Sequence, residues 1–160
     1  MKNISIKKVA IVLGIMLILI QLYHPTPNDG NALGGNDITN TLPISDDVRM
    51  ILKTSCFDCH SNHTDYPWYS KIQPIGIWLA NHIDEGKREL NFSEFNSYKN
   101  KRKKHKFEEI AKEIKEHEMP LNSYTFIHKN ALLSNEQTLL LMSWADNAFL
   151  SIHLDSITHH

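Results

Sequence analysis

The sequence predicts an all-helical fold. Apolar residues recur at positions i, i+3 and i+4 in several windows, whereas no window alternates apolar and polar residues as a half-buried strand would. Capping and breaking residues stand where these windows begin and end. The 160 residues are enough for one small domain with accessory segments, and the net charge of -1 argues against a general nucleic-acid binder.

Residues 1–23 predict a membrane helix in front of this domain. Lysines precede an apolar run from Val9 to Ile20, and no small-x-small cleavage site follows it. We interpret the segment as an uncleaved, single-pass signal anchor, although a full span needs about 20 apolar residues. Lysines favour the cytoplasmic side, so the remainder of the chain is expected to face the periplasm from the bacterial inner membrane.

Residues 24–44 predict a flexible tether. They are rich in proline, glycine, asparagine and aspartate and contain few large apolar side chains, so they offer little to a core. The folded head is expected at residues 45–150. Residues 151–160 are expected to form a C-terminal tail.

Helix signals divide the head into segments. Ser45 is expected to cap a first helix just ahead of the two cysteines. A second helix is expected from Pro74 to Glu85, with Gly86 placed to end it. A short helix should follow a cap at Asn91, and an amphipathic helix should then run to about Glu116.

The last helix is expected to begin at Ser134, whose capping box is completed by Gln137. Pro120 is expected to stop the amphipathic helix that runs to about Glu116. The expected buried faces contain Val48, Ile51, Leu52, Ile75, Trp78, Leu79, His82, Ile83, Phe107, Ile110, Ala111, Ile114, Leu141, Trp144, Ala145, Ala148 and Phe149.

A basic run, KNKRKKHK, extends from Lys99 to Lys106. Most such runs are solvated surface, and we interpret this one in the same way. The alternative is a docking patch for an acidic redox partner or for anionic lipid head groups, which would act through electrostatic steering.

The most informative stretch is Cys56-Phe57-Asp58-Cys59-His60, which reads C-x-x-C-H, the attachment signal for a covalent c-type haem. In a helix, the two thiols and the imidazole stand at i, i+3 and i+4 and share one face. Each thiol can then add to one vinyl group, and His60 can fill the proximal axial position of the iron. The chain has 2 cysteines, so we expect one haem and no disulfide.

A zinc site and a thioredoxin-like dithiol are the alternatives for this motif. Zinc needs four ligands in a closed set, and adjacent Cys59 and His60 are awkward tetrahedral ligands even if His63 joins them. A redox dithiol is expected in a βαβ setting, for which the sequence gives no signal. The motif therefore favours haem over zinc, and a redox dithiol is the least favoured of the three interpretations.

Other motifs follow in order. They are Asp65-Tyr66-Pro67-Trp68-Tyr69-Ser70, Glu85-Gly86-Lys87-Arg88, Leu90-Asn91-Phe92-Ser93, Glu118-Met119-Pro120, Leu133-Ser134 and Trp144-Ala145. Together with C-x-x-C-H, this order resembles the bacterial haem-binding domain family of small, membrane-anchored, monohaem c-type proteins, and it is more distantly similar to class I cytochromes c. The resemblance covers about residues 45–149. It implies a small cytochrome c-like helical domain around one covalent haem c in the cell envelope.

Within that resemblance, Met119 before Pro120 is compared with the methionine that supplies the distal axial ligand in class I cytochromes c. A thioether is a soft ligand that favours ferrous iron and raises the reduction potential. A core methionine is the alternative for Met119. The rival iron ligands are His63, His82, His117 and His128.

Aromatic residues and prolines follow the haem motif closely. The aromatic residues are Tyr66, Trp68 and Tyr69. They are expected to wall the haem, or to form an aromatic loop packed on the next helix. Either Pro67 or Pro74 is expected to offer the carbonyl that accepts the Nδ1 proton of His60, as a proline does in class I cytochromes.

The sequence thus predicts a one-electron carrier that exchanges electrons with a redox protein of the cell envelope. A single C-x-x-C-H and the lack of an added catalytic domain favour a carrier over an enzyme. The alternative is a haem peroxidase or a gas or redox sensor, which needs an open axial position. Ligation by Met119 decides between the two.

Overall fold

The computed structural model describes residues 5–40 and 42–158. Within them the chain forms seven α-helices and no β-strand, which confirms the all-helical prediction. The α-helices are α1 (Ile6–Ile20), α2 (Asp46–Ser55), α3 (Phe57–His60), α4 (Ile75–Glu89), α5 (Asn100–Lys115), α6 (Asn122–Ile127) and α7 (Asn135–Thr158). Short 3-10 helices lie at Ile38–Asn40, Trp68–Lys71, Phe92–Ser97 and Lys129–Ala131.

Two helices begin at the caps that the sequence predicts. The Ser45 hydroxyl oxygen accepts a hydrogen bond from the Val48 N–H at 3.4 Å. The Ser134 hydroxyl oxygen accepts from the Gln137 N–H at 3.2 Å, and the Gln137 side chain accepts from the Ser134 N–H at 2.9 Å. These bonds satisfy N–H groups that have no partner inside the helix.

The core of the head joins α2, α5, α7 and the 3-10 helix Phe92–Ser97. Phe107 on α5 is fully buried, with its ring centroid 5.1 Å from that of Phe95 and 5.4 Å from that of Trp144. Burying an aromatic side chain of this size stabilises a fold by about 1.5–3 kcal/mol. These contacts fix α5 against α7 and so fix the place where α5 ends.

Helix α4 differs from its prediction in length and in its buried face. It continues beyond Gly86, which therefore does not end the helix. Leu79 and Ile83 are buried as expected, whereas Ile75 and Trp78 are exposed. Only the narrow stripe that contains Leu79 and Ile83, at i and i+4, faces the head. The predicted buried face of α4 was therefore too wide.

The segment expected as a flexible tether, residues 24–44, lies against the head. Ile38 is 0% exposed and belongs to the core cluster. The Asn28 side-chain amide donates to the Ser61 carbonyl at 3.0 Å and to the Thr64 hydroxyl oxygen at 2.9 Å. Leu42 is buried in the same cluster, so apolar anchors and a few amide contacts hold this glycine-rich segment in place.

Helix α7 continues into the residues expected as a tail. It ends at Thr158, and Ile152 is buried in the core cluster. The rest of that tail, residues 159–160, lies outside the described residues. So do residues 1–4 of the expected signal anchor and residue 41 of the expected tether.

Helix α1 contains the apolar run that was expected to cross a membrane. It has 15 residues, and none of them is buried. Among the described residues, no helix is both long enough and apolar enough to span a membrane. Just after α1, the Gln21 side chain donates to the Gln73 carbonyl at 3.0 Å and accepts from the Gln73 N–H at 2.9 Å. This amide pair joins the end of α1 to the head.

Candidate metal and cofactor site

The C-x-x-C-H motif forms a single helical turn. The Cys59 and His60 N–H groups both bond to the Cys56 carbonyl, at 3.2 and 2.9 Å, so the three side chains share one face as predicted. Both cysteines are half-buried free thiols. Burial, helped by the neighbouring Cys59, raises the pKa of Cys56 to about 12, and burial with the Asp58 charge raises that of Cys59 to about 11.

His60 is held by two backbone carbonyls. Its Nδ1 lies 2.9 Å from the Gly86 oxygen and 3.0 Å from the Leu90 oxygen. Because both partners are acceptors, Nδ1 carries the proton and Nε2 keeps its lone pair. Burial lowers the pKa of His60 despite these two bonds, so the imidazole is favoured in its neutral, metal-binding form.

This arrangement corrects the prediction that Pro67 or Pro74 would accept the Nδ1 proton of His60. Both acceptors lie at the C-terminal end of α4, and the Gly86 carbonyl also accepts from the Leu90 N–H at 2.9 Å. The end of α4 therefore sets the orientation and tautomer of the ring.

Two adjoining cavities border the motif, with volumes of about 250 and 310 Å³. We call them the first and second lobes of the cleft. Residues that line both lobes are Ser55, Cys56, His60, Glu89 and Met119. Residues that line only the first lobe are Leu52, Leu90, Phe92, Lys106, Glu109, Ile110, Glu113 and Ile114. Residues that line only the second are Asp58, Cys59, His82, Glu85, Gly86, Pro120, Leu121 and Tyr124.

Met119 enters the cleft because of the way in which α5 ends. His117 adopts a left-handed conformation with φ of 59°, and the next N–H, that of Glu118, bonds back to the Glu113 carbonyl at 2.9 Å. The His117 N–H bonds to the Ile114 carbonyl at 3.2 Å, which completes a Schellman motif. The chain reverses there and places Met119 on the wall shared by the two lobes.

The rival histidines lie in different places. His82 lines the second lobe, so it is the rival that the structure keeps near the motif. His63, His117 and His128 line neither lobe. His117 is exposed. Its left-handed backbone turns the following residues into the cleft, while its own ring stays outside.

The three aromatic residues expected as a haem wall do not line the cleft. Trp68 is 76% exposed, and its ring packs edge-on against that of Tyr69. The Tyr69 hydroxyl bonds to His128 Nε2 at 2.7 Å, while the Tyr66 hydroxyl oxygen accepts from the Asn28 N–H at 2.8 Å. These partners hold the three rings outside the two lobes. The contacts therefore favour the alternative prediction, an aromatic loop, over a haem wall.

Two other aromatic residues line the cleft instead. Phe92 lines the first lobe and Tyr124 lines the second. The Tyr124 hydroxyl donates to the Asp58 carboxylate at 2.7 Å, so α6 is tied to the middle of the C-x-x-C-H motif. Nothing in the local sequence distinguishes Phe92, a residue of a short capped helix, as a cleft residue.

A charged residue that the sequence analysis missed also lines the first lobe. Lys106 ends the basic run, yet its side chain is only 10% exposed and is paired with the carboxylates of Glu109 and Glu89. The basic run is therefore not solvated along its whole length. The sequence did contain a signal for this burial. Lys106 precedes Ile110 and Ile114 at intervals of four, so it lies on the same buried face of the helix.

The chemistry of these side chains fits a c-type haem. Two thiols stand beside an imidazole whose Nε2 is free, and a thioether lies on the shared wall of the cleft. The remaining walls are largely apolar, as a porphyrin needs. No cluster of three or more histidine, cysteine, aspartate or glutamate side chains suited to a metal ion occurs among the described residues, so a closed zinc set is not formed there.

Comparison with known proteins gives the family. No curated protein and no solved structure is significantly similar to this chain. A family model described as a haem-binding domain matches residues 15–147, which include the end of α1, the segment after it and nearly the whole head. The chain therefore belongs to the haem-binding domain family.

Proposed function

We propose that this haem-binding protein carries one covalently attached haem c and transfers single electrons in the cell envelope. Cys56 and Cys59 form the thioethers, His60 is the proximal axial ligand, and Met119 is the distal one. The observation that carries the proposal is that His60 and Met119 line both lobes of one cleft beside the two thiols.

His60 and Met119 would hold the iron of the haem. The Nδ1 proton of His60 is occupied by the Gly86 and Leu90 carbonyls, which leaves Nε2 as the atom that can bind iron. Hydrogen bonds to Nδ1 also increase the basicity of Nε2. Met119, which the chain reversal at the end of α5 brings to the wall shared by the two lobes, would supply a thioether sulfur.

A haem with one imidazole and one thioether ligand supplies a reversible ferric and ferrous couple with a raised potential. The protein's own contribution is to close both axial positions and to exclude water with the apolar walls of the first lobe. A closed site suits electron transfer, because it leaves no position for peroxide or a gas. The redox partner in this proposal is another protein of the envelope.

The membrane location rests on α1. None of its apolar side chains is buried and most are exposed, so within the described chain they have no protein core to cover them. Exposed apolar surface of this extent marks an interaction with lipid or with another protein. Because α1 alone is too short to cross a bilayer, the proposed anchor in the bacterial inner membrane is α1 together with the residues that flank it, and the lysines favour a periplasmic head.

The attachment test is co-expression with a c-type maturation system, followed by intact mass measurement and haem staining of a denaturing gel. We expect one haem mass on the full chain, and none on the chain made without the maturation system. Cys56→Ser and Cys59→Ser should each remove one thioether, and the double variant should release all haem into acidic organic solvent. Unmodified wild-type mass from the maturing strain would contradict covalent attachment.

A further inference from the structure

The surface next to the end of α1 is apolar and aromatic. It contains Trp68, which is 76% exposed, Trp78, which is 44% exposed, and the exposed side chains of Ile72 and Ile75. We call these four residues the aromatic ridge. Ile75 and Trp78 stand at i and i+3 on α4, the Gly76 N–H bonds to the Ile72 carbonyl at 3.0 Å, and the 3-10 helix that begins at Trp68 packs against α4.

The ridge is continuous with the end of α1. Gln73 lies in the middle of the ridge segment, and it is the residue whose backbone N–H and carbonyl are both bonded by the Gln21 side chain. Leu22 and Tyr23, which follow Gln21, are also exposed. The end of α1 is thus bonded to the turn that contains Ile72 and Ile75.

We propose that the aromatic ridge docks on the surface of a phospholipid bilayer and holds the head in one orientation. Two properties select this occupant. Tryptophan and tyrosine are the side chains enriched at the level of lipid head groups, and the ridge continues an apolar helix that lipid would also cover. The inference rests on the membrane location in the proposed function, and it adds a second contact beyond α1.

Docking of the ridge also orients the cleft. The Trp78 ring packs on the His82 ring with centroids 4.2 Å apart, and His82 lines the second lobe. With Trp78 at the level of the head groups, the second lobe opens beside the lipid surface. The basic run, which begins after the 3-10 helix Phe92–Ser97, is not needed for this contact.

The test is hydroxyl-radical footprinting by brief radiolysis, read by mass spectrometry, on the haem-loaded full chain in phospholipid nanodiscs. Met50 on α2 is the internal control, because it is 65% exposed and lies outside the ridge. We expect Trp68 and Trp78 to be labelled at least fivefold more slowly than their exposed fractions predict. Met50 should be labelled at the rate that its own exposed fraction predicts.

A charged double variant, Trp68→Glu with Ile75→Glu, should restore labelling of Trp78 while the chain stays in the disc. Met50→Glu, which adds a charge elsewhere, should leave Trp78 protected. Trp78 labelled as fast as its exposure predicts in wild-type discs would overturn the docking of the ridge and leave the membrane anchor standing. A full chain not recovered with the discs would overturn both.

Discussion

Gly86 brings α4 against the backbone of Cys59. A Cβ atom at Gly86 would lie 2.7 Å from the Cys59 carbonyl oxygen and 3.2 Å from its Cβ. The Gly86 carbonyl at the same time accepts the Nδ1 proton of His60. One glycine therefore permits both the close packing of the haem motif and the bond that orients its imidazole.

We expect Gly86→Ala to destabilise the fold by about 1–3 kcal/mol, because the added methyl group forces α4 away from a backbone atom. This loss exceeds the gain of roughly 0.5–1 kcal/mol from removing a glycine inside a helix. Urea unfolding of the full chain measures the difference. Gly14→Ala is the matched control, since a Cβ at this glycine of α1 meets nothing within 4 Å and should not lower stability.

Met119→Ala should remove the distal ligand. The expected result is loss of the weak near-infrared band of the oxidised protein, a lower reduction potential and rapid binding of carbon monoxide, all measured on the haem-loaded protein. Met50→Ala removes an exposed methionine and should change none of these. If His82 were the ligand, Met119→Ala would keep the low-spin spectrum and His82→Ala would lose it.

Tyr124→Phe should loosen the segment that carries Met119. The variant loses only the hydroxyl that donates to Asp58 at 2.7 Å, a bond to a charged group worth about 1.5–3 kcal/mol. We expect carbon monoxide to bind several times faster than to wild type in stopped-flow measurements. Tyr66→Phe, which loses a hydroxyl bonded to Asn28 outside the cleft, should bind it at the wild-type rate. Equal rates in the two variants would show that Asp58 does not restrain the segment.

Phe107→Ala should cost about 3–5 kcal/mol of the free energy of unfolding, because it empties the centre of the core between α5 and α7. Phe126→Ala deletes the same atoms from an exposed ring and should cost under about 1 kcal/mol. Denaturant unfolding of both variants gives the comparison. A small loss for Phe107→Ala would mean that α5 is held by other contacts.

Features set by neighbouring residues could be predicted from the sequence. The caps at Ser45 and Ser134 and the shared face of the C-x-x-C-H turn depend on spacings of three or four residues, and all are present. Gly86 was misread because a glycine that ends a helix and one that permits close packing look alike in a sequence. The second kind depends on Cys59, which lies far away along the chain.

The same limit explains the other differences at the site. The acceptors of the His60 proton come from the end of α4, and their role depends on how α4 packs on α3. Residues 24–44 looked too polar to join the core, although Ile38 and Leu42 are both buried in it. Lys106 looked solvated because its run is basic, and only its register with Ile110 indicated otherwise.

The end of α5 implies an order of assembly. Met119 reaches the cleft only when α5 is in place, and α5 packs chiefly against α7, which follows it in the chain. The motif and its support, α3 and α4, come much earlier in the chain. During synthesis, the wall that contains Cys56 and Cys59 is therefore expected to form while the opposite wall is still missing. In that interval both thiols remain accessible, as the proposed covalent attachment of haem requires.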